Sequence, residues 1–360
     1  MLEGPDAAGL VRVRDTRGRF IGQALYSPKS EIRLRLLERS ERPVDHTWWV
    51  EQLLACAGRR TNIDSNAHRL VHGEGDAIPS LIVDRYDRWL VVQILSAGLD
   101  TMRDCIMSAL IQVLEPDGIL LRNDAAARRR EALSSEITEA HGRVPREIVV
   151  QEGGIRYLAA PWDGQKTGAF LDQRPNRILA GRLMPEGGRA LDCFAYHGSF
   201  SLHLARKAAR VTALDVSPDA LERGAANAKL NDFSNIEWSE ADAFDRLREL
   251  ERARERFDFI VLDPPAFAKS RATVAPALRG YREINLRAMR ILSRGARLLT
   301  ASCSFHVQLP QFLGMLNEAA GDSGRRITLE QVLGQGEDHP VVLTIPETGY
   351  LKGAVLRAAD

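Results

Sequence analysis

The sequence lacks the features that mark secreted, membrane-spanning and metal-binding proteins. Its 360 residues include four cysteines, and no two of these form a CxxC pair, so neither a disulfide framework nor a zinc cluster is indicated. No stretch approaches the about 20 apolar residues that span a bilayer. The amino terminus has neither the basic nor the apolar region of a signal peptide. These absences predict a cytoplasmic protein without a metal ion or a membrane partner.

Neither sign of charge dominates the chain. Charged residues make up 27% of it and the formal net charge is +1, so any site for a polyanion must be local. The local candidate is the run of Arg128, Arg129 and Arg130 in "AAARRREAL". Such a run is usually a solvated surface, and contact with RNA is the alternative interpretation.

Three stretches of the sequence follow different patterns. Residues 1–42 alternate short apolar and basic pieces between turn signals, which predicts strands of a small β unit. Residues 43–160 mix helix patterns with strand patterns and predict a middle α+β domain. Residues 161–360 repeat a strand followed by a helix, which predicts an α/β fold whose parallel sheet has helices on both faces.

The ligand of such a sheet is expected at the carboxyl ends of the strands. The first strand, "RALDCFA", leads into a loop where Gly198 and Ser199 precede a helix, so backbone N–H groups can approach a ligand closely. The loop has no GxGxxG pattern. Because a pyrophosphate needs such a glycine-lined turn, a dinucleotide ligand is disfavoured.

Acidic residues follow the next three strands. Asp215 in "ALDVSPDAL" can accept both hydroxyls of a ribose, and its alternative role as a helix cap is already filled by Ser217. Asp242 in "EADAF" is placed to reach an adenine amino group. Asp263 in "LDPP" forms a rigid acidic corner because two prolines follow it. Carboxylates for ribose and adenine, without a phosphate cradle, predict S-adenosylmethionine as the cofactor.

Cys303 in "TASCSFHV" stands at the end of the strand after the DPP strand. An isolated cysteine at a strand end is usually a small buried hydrophobe. Its place at the edge where a substrate meets the methyl donor favours a nucleophile instead. Cys56, Cys105 and Cys193 lie in apolar patterns and are interpreted as packing residues. His306 either positions a substrate base or caps a helix.

Six segments in this order carry a resemblance to a known family: "GQKTGAFLDQRPNR", "CFAYHGSFS", "LDPPAFAKS", "RGYREIN", "TASCSFHV" and "DHPVVLTIPETGYLKG". From about Arg19 to the carboxyl terminus, the chain resembles the bacterial 23S rRNA cytosine-5 methyltransferases of the large ribosomal subunit. The resemblance implies a PUA-like RNA-binding unit, here short and partial, a middle α+β domain, and a class I, Rossmann-like methyltransferase domain.

The resemblance also implies the residues of the site. Cys303 matches the nucleophile that attacks carbon 6 of cytosine so that carbon 5 can take the methyl group, and Asp263 would stabilise the charge that develops on the ring. The base must leave any stacked helix to reach them. The residues expected around S-adenosylmethionine are Phe170, Gln173, Arg174, Phe194, Tyr196, Gly198, Ser199, Phe200, Asp215, Val216, Asp242, Ala243, Asp263 and Pro264.

These inferences predict an enzyme that forms 5-methylcytosine in 23S rRNA, either free or in a large-subunit assembly particle, with a homodimer left open. A guanine N-methyltransferase of the same superfamily would keep the LDQR and DPP features without needing Cys303. A non-catalytic RNA-binding or assembly factor could retain the fold. A small-molecule methyltransferase would leave the middle domain and the arginine run without an obvious purpose.

Overall fold

The computed structural model of the chain describes residues 5–360, which form two compact units. The first unit contains the chain up to residue 151 together with residues 159–171 and 337–348. The second unit contains residues 152–158, 172–336 and 349–360. In the part of the chain that the structure describes, no helix combines the length and the apolar character needed to cross a membrane.

The first unit combines two sheets with four helices among its described residues. Its strands are β1 (Gly9–Arg14), β2 (Phe20–Tyr26), β3 (Leu34–Glu38), β4 (Ala67–His72), β5 (Leu81–Tyr86), β6 (Trp89–Ile94), β7 (Gly118–Asn123) and β8 (Glu136–Gly142). Its helices are α1 (His46–Gly58), α2 (Ala97–Asp100), α3 (Arg103–Leu114) and α4 (Ala126–Arg130).

The small β unit predicted at the amino terminus is an antiparallel sheet in the order β1-β2-β3. The other sheet has the order β4-β5-β6-β7-β8, and its pairs are antiparallel except for β6 with β7. Helices α1 and α3 pack against each other, and Trp49, Leu53, Ile106 and Leu110 join the core beneath them. The first unit therefore has a hydrophobic core of its own.

The second unit is built on one sheet. The hairpin of β9 (Ile148–Glu152) and β10 (Ile155–Ala159) lies where the chain passes between the units. The strands that follow are β11 (Arg189–Cys193), β12 (Arg210–Asp215), β13 (Ile236–Glu240), β14 (Phe257–Leu262), β15 (Leu292–Ser302), β16 (Ile327–Leu333) and β17 (Lys352–Ala358). The helices are α5 (Arg174–Leu183), α6 (Ser199–Ala205), α7 (Pro218–Leu230), α8 (Ala243–Arg252), α9 (Val274–Arg290) and α10 (Leu309–Ser323).

The seven strands of this sheet have the order β13-β12-β11-β14-β15-β17-β16. The strands from β13 to β15 are parallel, as predicted. The sequence patterns did not predict β16 and β17, and β17 runs antiparallel to both of its neighbours, β15 and β16. The strand order reverses between β11 and β14, and in open α/β sheets ligands bind at such a switch point. Cys193 pairs with both Leu214 and Leu262, so the loops after these strands emerge at one edge.

Side chains of β14 alternate between two hydrophobic cores. Phe259 and Val261 pack with residues of α5 and α6, whereas Ile260 and Leu262 pack with residues of α8, α9 and α10. A parallel strand that is covered on both faces reads as a continuous apolar run, which explains the sequence "FDFIVL". Because side chains on both faces are buried, the position of β14 along the sheet is fixed. The position of Asp263, which follows its last residue, is fixed with it.

One residue of the predicted RNA-binding run is a structural residue, which corrects that prediction. The Arg128 side chain is 1% exposed, and it donates hydrogen bonds to Ile94 O at 2.5 Å and to Ser134 O at 2.9 Å. A guanidinium that is buried on protein carbonyls is unavailable to an RNA phosphate. Arg129 and Arg130 are exposed, so their contact with RNA stays a prediction.

Replacing Arg128 by Met is expected to lower the free energy of unfolding by about 3 kcal/mol, because two buried carbonyls lose their donor. The exposed neighbour provides the control, since Arg129→Met is expected to change it by less than about 0.5 kcal/mol. Urea unfolding followed by circular dichroism measures both values. A fully stable Arg128→Met protein with weakened RNA binding would contradict the structural role.

Candidate active site

The loop between β11 and α6 has a strained backbone at the switch point. Phe194, Tyr196 and Gly198 have positive φ angles of 65°, 50° and 79°. Non-glycine residues adopt such angles at an energetic cost, and they persist where the surroundings hold them. Here the Tyr196 N–H donates a 2.8 Å hydrogen bond to Asp215 Oδ2, which ties the loop to the end of β12. Ser199 and Phe200 begin α6 directly after the loop.

Position 198 has no room for a side chain, and its positive φ angle also favours glycine. A Cβ atom at Gly198 would lie 2.3 Å from Cη2 of Trp238 in β13. A Cβ atom at Gly224 in α7 would lie 2.4 Å from Cζ3 of the same indole. The indole therefore occupies the space that side chains at both positions would need, and the loop lies close against it.

Asp215 is oriented by the backbone at the end of β12. Its Oδ2 accepts from the Tyr196 N–H, and its Oδ1 accepts from the Ser217 N–H at 2.9 Å. Ser217 caps α7, as predicted, because its Oγ accepts from the Ala220 N–H at 3.3 Å. A carboxylate oxygen can accept more than one hydrogen bond, so a ribose hydroxyl can still donate to Asp215. Val216 beside it is 65% exposed and offers an apolar surface.

Asp242 has a structural role, and its contact with an adenine amino group stays a prediction. It caps α8, since its Oδ1 accepts from the Phe244 N–H at 2.8 Å and from the Asp245 N–H at 3.2 Å. The side chain is exposed, and its Oδ2 has no hydrogen-bond donor among the described residues, whereas Ala243 is buried. The cap fixes the orientation of the carboxylate and leaves one oxygen for an amino group.

Asp192 is an acidic residue of the site that the sequence patterns missed. It lies inside β11, is 1% exposed, and its Oδ2 accepts from Ser201 Oγ at 2.6 Å. Its Oδ1 is buried and lacks a hydrogen-bond partner among residues 5–360. The signal that could have found it is a carboxylate within an apolar strand pattern, since such groups are rarely buried without a partner.

The environment of Asp192 shifts its ionisation. Burial raises the pKa of Asp192 to about 7; the hydrogen bond from Ser201 acts against this, and the charges of Asp263 and Asp215 raise it further. The three carboxylates are thus close enough to interact electrostatically at the switch point. S-adenosylmethionine carries a sulfonium and an amino group but no phosphate, so a site with three carboxylates and an unsatisfied buried oxygen fits it.

A chain of buried amides holds Asp263 in place. Gln173 Nε2 donates to Asp263 Oδ1 at 2.8 Å, and Gln173 Oε1 accepts from Asn176 Nδ2 at 2.6 Å. Asn176 Nδ2 also donates to Gly334 O at 3.0 Å. Gln173 is therefore a positioning residue for Asp263. Its contact with the cofactor, like that of the neighbouring buried Arg174, stays a prediction.

Phe170 was predicted to line the same pocket. It belongs to the first unit, where the Lys166 ammonium lies 4.6 Å from the centroid of its ring. The other residues predicted around the cofactor belong to the second unit. The place of Phe170 beside Gly198 therefore stays a prediction.

Cys303 follows β15 directly and lies beside the DPP corner. Its Sγ is 4.0 Å from the carbonyl oxygen of Pro264. Strands β14 and β15 pair in parallel with Leu262 opposite Thr300, which places both strand ends at one edge. Unlike Cys56 and Cys193, which are buried in the cores, Cys303 is half-buried.

The segment around Cys303 is fastened to its neighbours. Ser304 Oγ accepts a 3.0 Å hydrogen bond from the Ala268 N–H of the loop that follows the DPP corner. The same oxygen lies 2.8 Å from the hydroxyl oxygen of Tyr281 in α9. These bonds join the cysteine loop to the loop that follows Asp263 and to α9.

Known proteins are similar to this chain in sequence and in fold. The sequence pattern of the S-adenosylmethionine-dependent methyltransferases matches residues 69–343, and that of the PUA-like domain matches residues 2–39. The ribosomal RNA large subunit methyltransferase I of Tolumonas auensis is 38% identical over 98% of this chain and 91% of its own length. The protein of the same name from Vibrio cholerae serotype O1 is 35% identical, with coverages of 98% and 91%.

Solved structures show the same fold at low sequence identity. A Streptococcus mutans protein assigned as an S-adenosylmethionine-dependent methyltransferase superposes with a TM-score of 0.82 at 21% identity, over 98% of this chain and 92% of that chain. A second such structure, solved in complex with SAH, has a TM-score of 0.83 at 22% identity, with coverages of 97% and 91%.

The fold, the acidic switch-point site and the matching family pattern define the class of this protein, which is an S-adenosylmethionine-dependent methyltransferase. Within that class, the identity to full-length relatives is high enough to assign a family. The chain belongs to the family of the ribosomal RNA large subunit methyltransferase I. The fold class, the PUA-like unit and the cofactor predicted from the sequence are confirmed.

Replacing Gly198 by Ala is expected to weaken S-adenosylmethionine binding at least about tenfold, or about 1.4 kcal/mol, because the new Cβ atom displaces the loop from Trp238. Gly187→Ala is the matched control, since Gly187 also has a positive φ of 69° but has no atom within 4 Å of its Cβ position. Equilibrium dialysis with labelled cofactor measures both. An equal loss of affinity in the two variants would contradict this explanation.

The stability difference between the wild-type protein and Asp192→Asn is expected to depend on pH. The folded pKa of Asp192 lies above the unfolded value of 3.8, so folding takes up a proton in the window from about 4 to about 7. The stabilisation is complete below pH 4 and is lost as the pH rises to 7. Urea unfolding at pH 5 and pH 8 measures the free energy of unfolding of both proteins. Relative to the wild-type protein, Asp192→Asn should be more stable at pH 8 than at pH 5. A constant difference would exclude the raised pKa.

Proposed function

We propose that this enzyme methylates carbon 5 of a cytosine in large-subunit rRNA, using Cys303 as the nucleophile. The observation that carries the proposal is the half-buried thiol 4.0 Å from the carbonyl oxygen of Pro264, beside Asp263 at the switch point. Methyl transfer to an amino or ring nitrogen of guanine needs no covalent adduct, and therefore no thiol at this place.

Carbon 5 of a pyrimidine is a weak nucleophile, and the thiol overcomes this. The Cys303 thiolate donates its electron pair to carbon 6, and the sulfur–carbon bond makes carbon 5 enamine-like. Carbon 5 then donates its electron pair to the electrophilic methyl group that S-adenosylmethionine would supply when bound. The methyl–sulfonium bond would break, and its electrons would stay on the sulfur of the departing S-adenosylhomocysteine. Water then takes the proton from carbon 5, the double bond re-forms, and the sulfur–carbon bond breaks to return the thiolate.

Asp263 has the complementary role on the opposite side of the ring. Addition of sulfur at carbon 6 places negative charge on the ring at N3, and a protonated Asp263 hydrogen-bonded to N3 neutralises it by proton transfer. When the thiolate leaves, the proton returns to Asp263. The hydrogen bond from Gln173 holds this carboxyl group in place while the base is bound.

The substrate class rests on the relatives, which are named ribosomal RNA large subunit methyltransferase I. A PUA-like unit and the exposed pair Arg129 and Arg130 give the first unit surfaces suited to RNA. We therefore propose 23S rRNA, free or within an assembly particle of the large subunit, as the substrate.

The proposal predicts that Cys303→Ala abolishes methylation, with a fall of at least about 1,000-fold in rate, because carbon 5 is no longer activated. Unmodified 23S rRNA is incubated with labelled S-adenosylmethionine, and the product nucleoside is identified by mass spectrometry. The expected product of the wild-type enzyme is 5-methylcytosine, and the variant is expected to bind the cofactor normally.

Cys105→Ala is the matched control, since Cys105 is also half-buried but lies in α3 of the first unit. It should retain full activity. A methylated guanine as the product, or an active Cys303→Ala enzyme, would overturn the proposal. A wild-type protein that binds both rRNA and the cofactor but transfers no methyl group would favour a non-catalytic RNA-binding factor.

A further inference from the structure

Lys352 is a buried lysine next to the cysteine loop, on the strand that neighbours β15. It is the first residue of β17, which runs antiparallel to β15, and it pairs with Ser302. Cys303 is the next residue along the chain. The Lys352 residue is 6% exposed, although lysine is almost never this buried without a partner. Nothing in the sequence patterns assigned it a role.

Two carbonyl groups hold the Lys352 amine in the loop. Its Nζ donates to Ser304 O at 2.7 Å and to Tyr350 O at 2.7 Å. An ammonium has three N–H donors, and the third has no hydrogen-bond acceptor among the described residues. The amine is thus held at Ser304, the residue after Cys303, and its third N–H group can donate to another acceptor.

The ionisations of Lys352 and Cys303 are coupled. Burial lowers the pKa of Lys352 to about 8, and the negative charge of a Cys303 thiolate acts in the opposite direction by favouring the ammonium. At neutral pH the amine is therefore mainly protonated. Electrostatic coupling between two titrating groups is mutual, so the ammonium favours the thiolate by the same free energy.

Three other titratable groups lie around Cys303: Asp263, Tyr281 and His306. Asp263, which follows β14, would disfavour a thiolate when ionised. Tyr281 in α9 is neutral, because burial raises its pKa and the charge of Cys303 raises it further. His306 lies in the same loop, and its ring is 5.2 Å from that of Phe305. Lys352 is the cation whose amine is anchored within the cysteine loop.

We infer that Lys352 is the residue that keeps Cys303 in its thiolate form, through its buried ammonium anchored on Ser304 O and Tyr350 O. The thiol proton leaves to solvent, and the ammonium remains charged throughout the reaction. A nearby lysine is a recognised means of activating a cysteine, since only the thiolate is nucleophilic. This inference rests on the proposed function, because it gives the nucleophile its reactive form.

The test measures the reactivity of the thiol rather than turnover. Wild-type protein, Lys352→Gln and Lys352→Arg are treated with iodoacetamide at several pH values, and alkylation of the Cys303 peptide is followed by mass spectrometry. Glutamine keeps a hydrogen-bond donor but removes the charge, whereas arginine keeps the charge. Lys352→Met serves as a second charge-free variant, and His306→Gln is the control for the other nearby base.

Alkylation of Cys303 at pH 7 is expected to be about tenfold slower in Lys352→Gln and Lys352→Met, which corresponds to one pKa unit, and to stay close to the wild-type rate in Lys352→Arg and His306→Gln. Cofactor affinity, measured in parallel, reports whether each variant is folded. An unchanged rate in Lys352→Gln or in a folded Lys352→Met would overturn the inference, and so would a slow rate in a folded Lys352→Arg protein.

The experiments distinguish a failure of the proposed function from a failure of the inference about Lys352. If Cys303→Ala remains active while the alkylation rate depends on the charge at position 352, the proposed function fails and the electrostatic role of Lys352 stands. If Cys303→Ala is inactive while all Lys352 variants are alkylated at the wild-type rate, the proposed function stands and the thiolate has another source.

Discussion

The parallel register of β12, β11, β14 and β15 is the constraint on which the site depends. Because these strands are covered by helices on both faces, their ends cannot slide without moving buried side chains out of their cores. Cys193, Leu214 and Leu262 stay level with one another, and Leu262 stays level with Thr300. The loops that carry the acidic residues and the thiol therefore meet at one edge.

Charge is distributed unevenly along that edge. The carboxyl groups of Asp192, Asp215 and Asp263 lie on the side of β12, β11 and β14, where burial, together with the charges of Asp263 and Asp215, raises the pKa of Asp192. The opposite side is formed by β15 and β17, which place Cys303 beside the buried amine of Lys352.

Positioning residues connect the two sides. Gln173, which directly precedes α5, donates a hydrogen bond to Asp263, and Ser304 Oγ beside Cys303 accepts one from the Ala268 N–H. These hydrogen bonds hold the loops that follow β14 and β15 in place.

Much of the site could be predicted because its residues follow strand ends that the apolar pattern reveals. Asp215 is the last residue of such a strand, and Asp263 and Cys303 each come directly after one. Asp192 was missed because it interrupts the pattern inside a strand, where a carboxylate looks like a surface position. Arg128 was misjudged because its neighbours in the sequence are exposed, whereas its own side chain reaches the carbonyls of Ile94 and Ser134.

The sequence by itself determined the alternation of strands and helices, the acidic ends of the strands, and hence the cofactor class, because hydrophobic periodicity and turn chemistry are local properties. Only the tertiary structure decided which strands are neighbours. It showed that the chain returns about fifty residues later as an antiparallel strand, bringing Lys352 beside Cys303. Such pairing depends on the burial of both faces of the sheet, which no local pattern encodes.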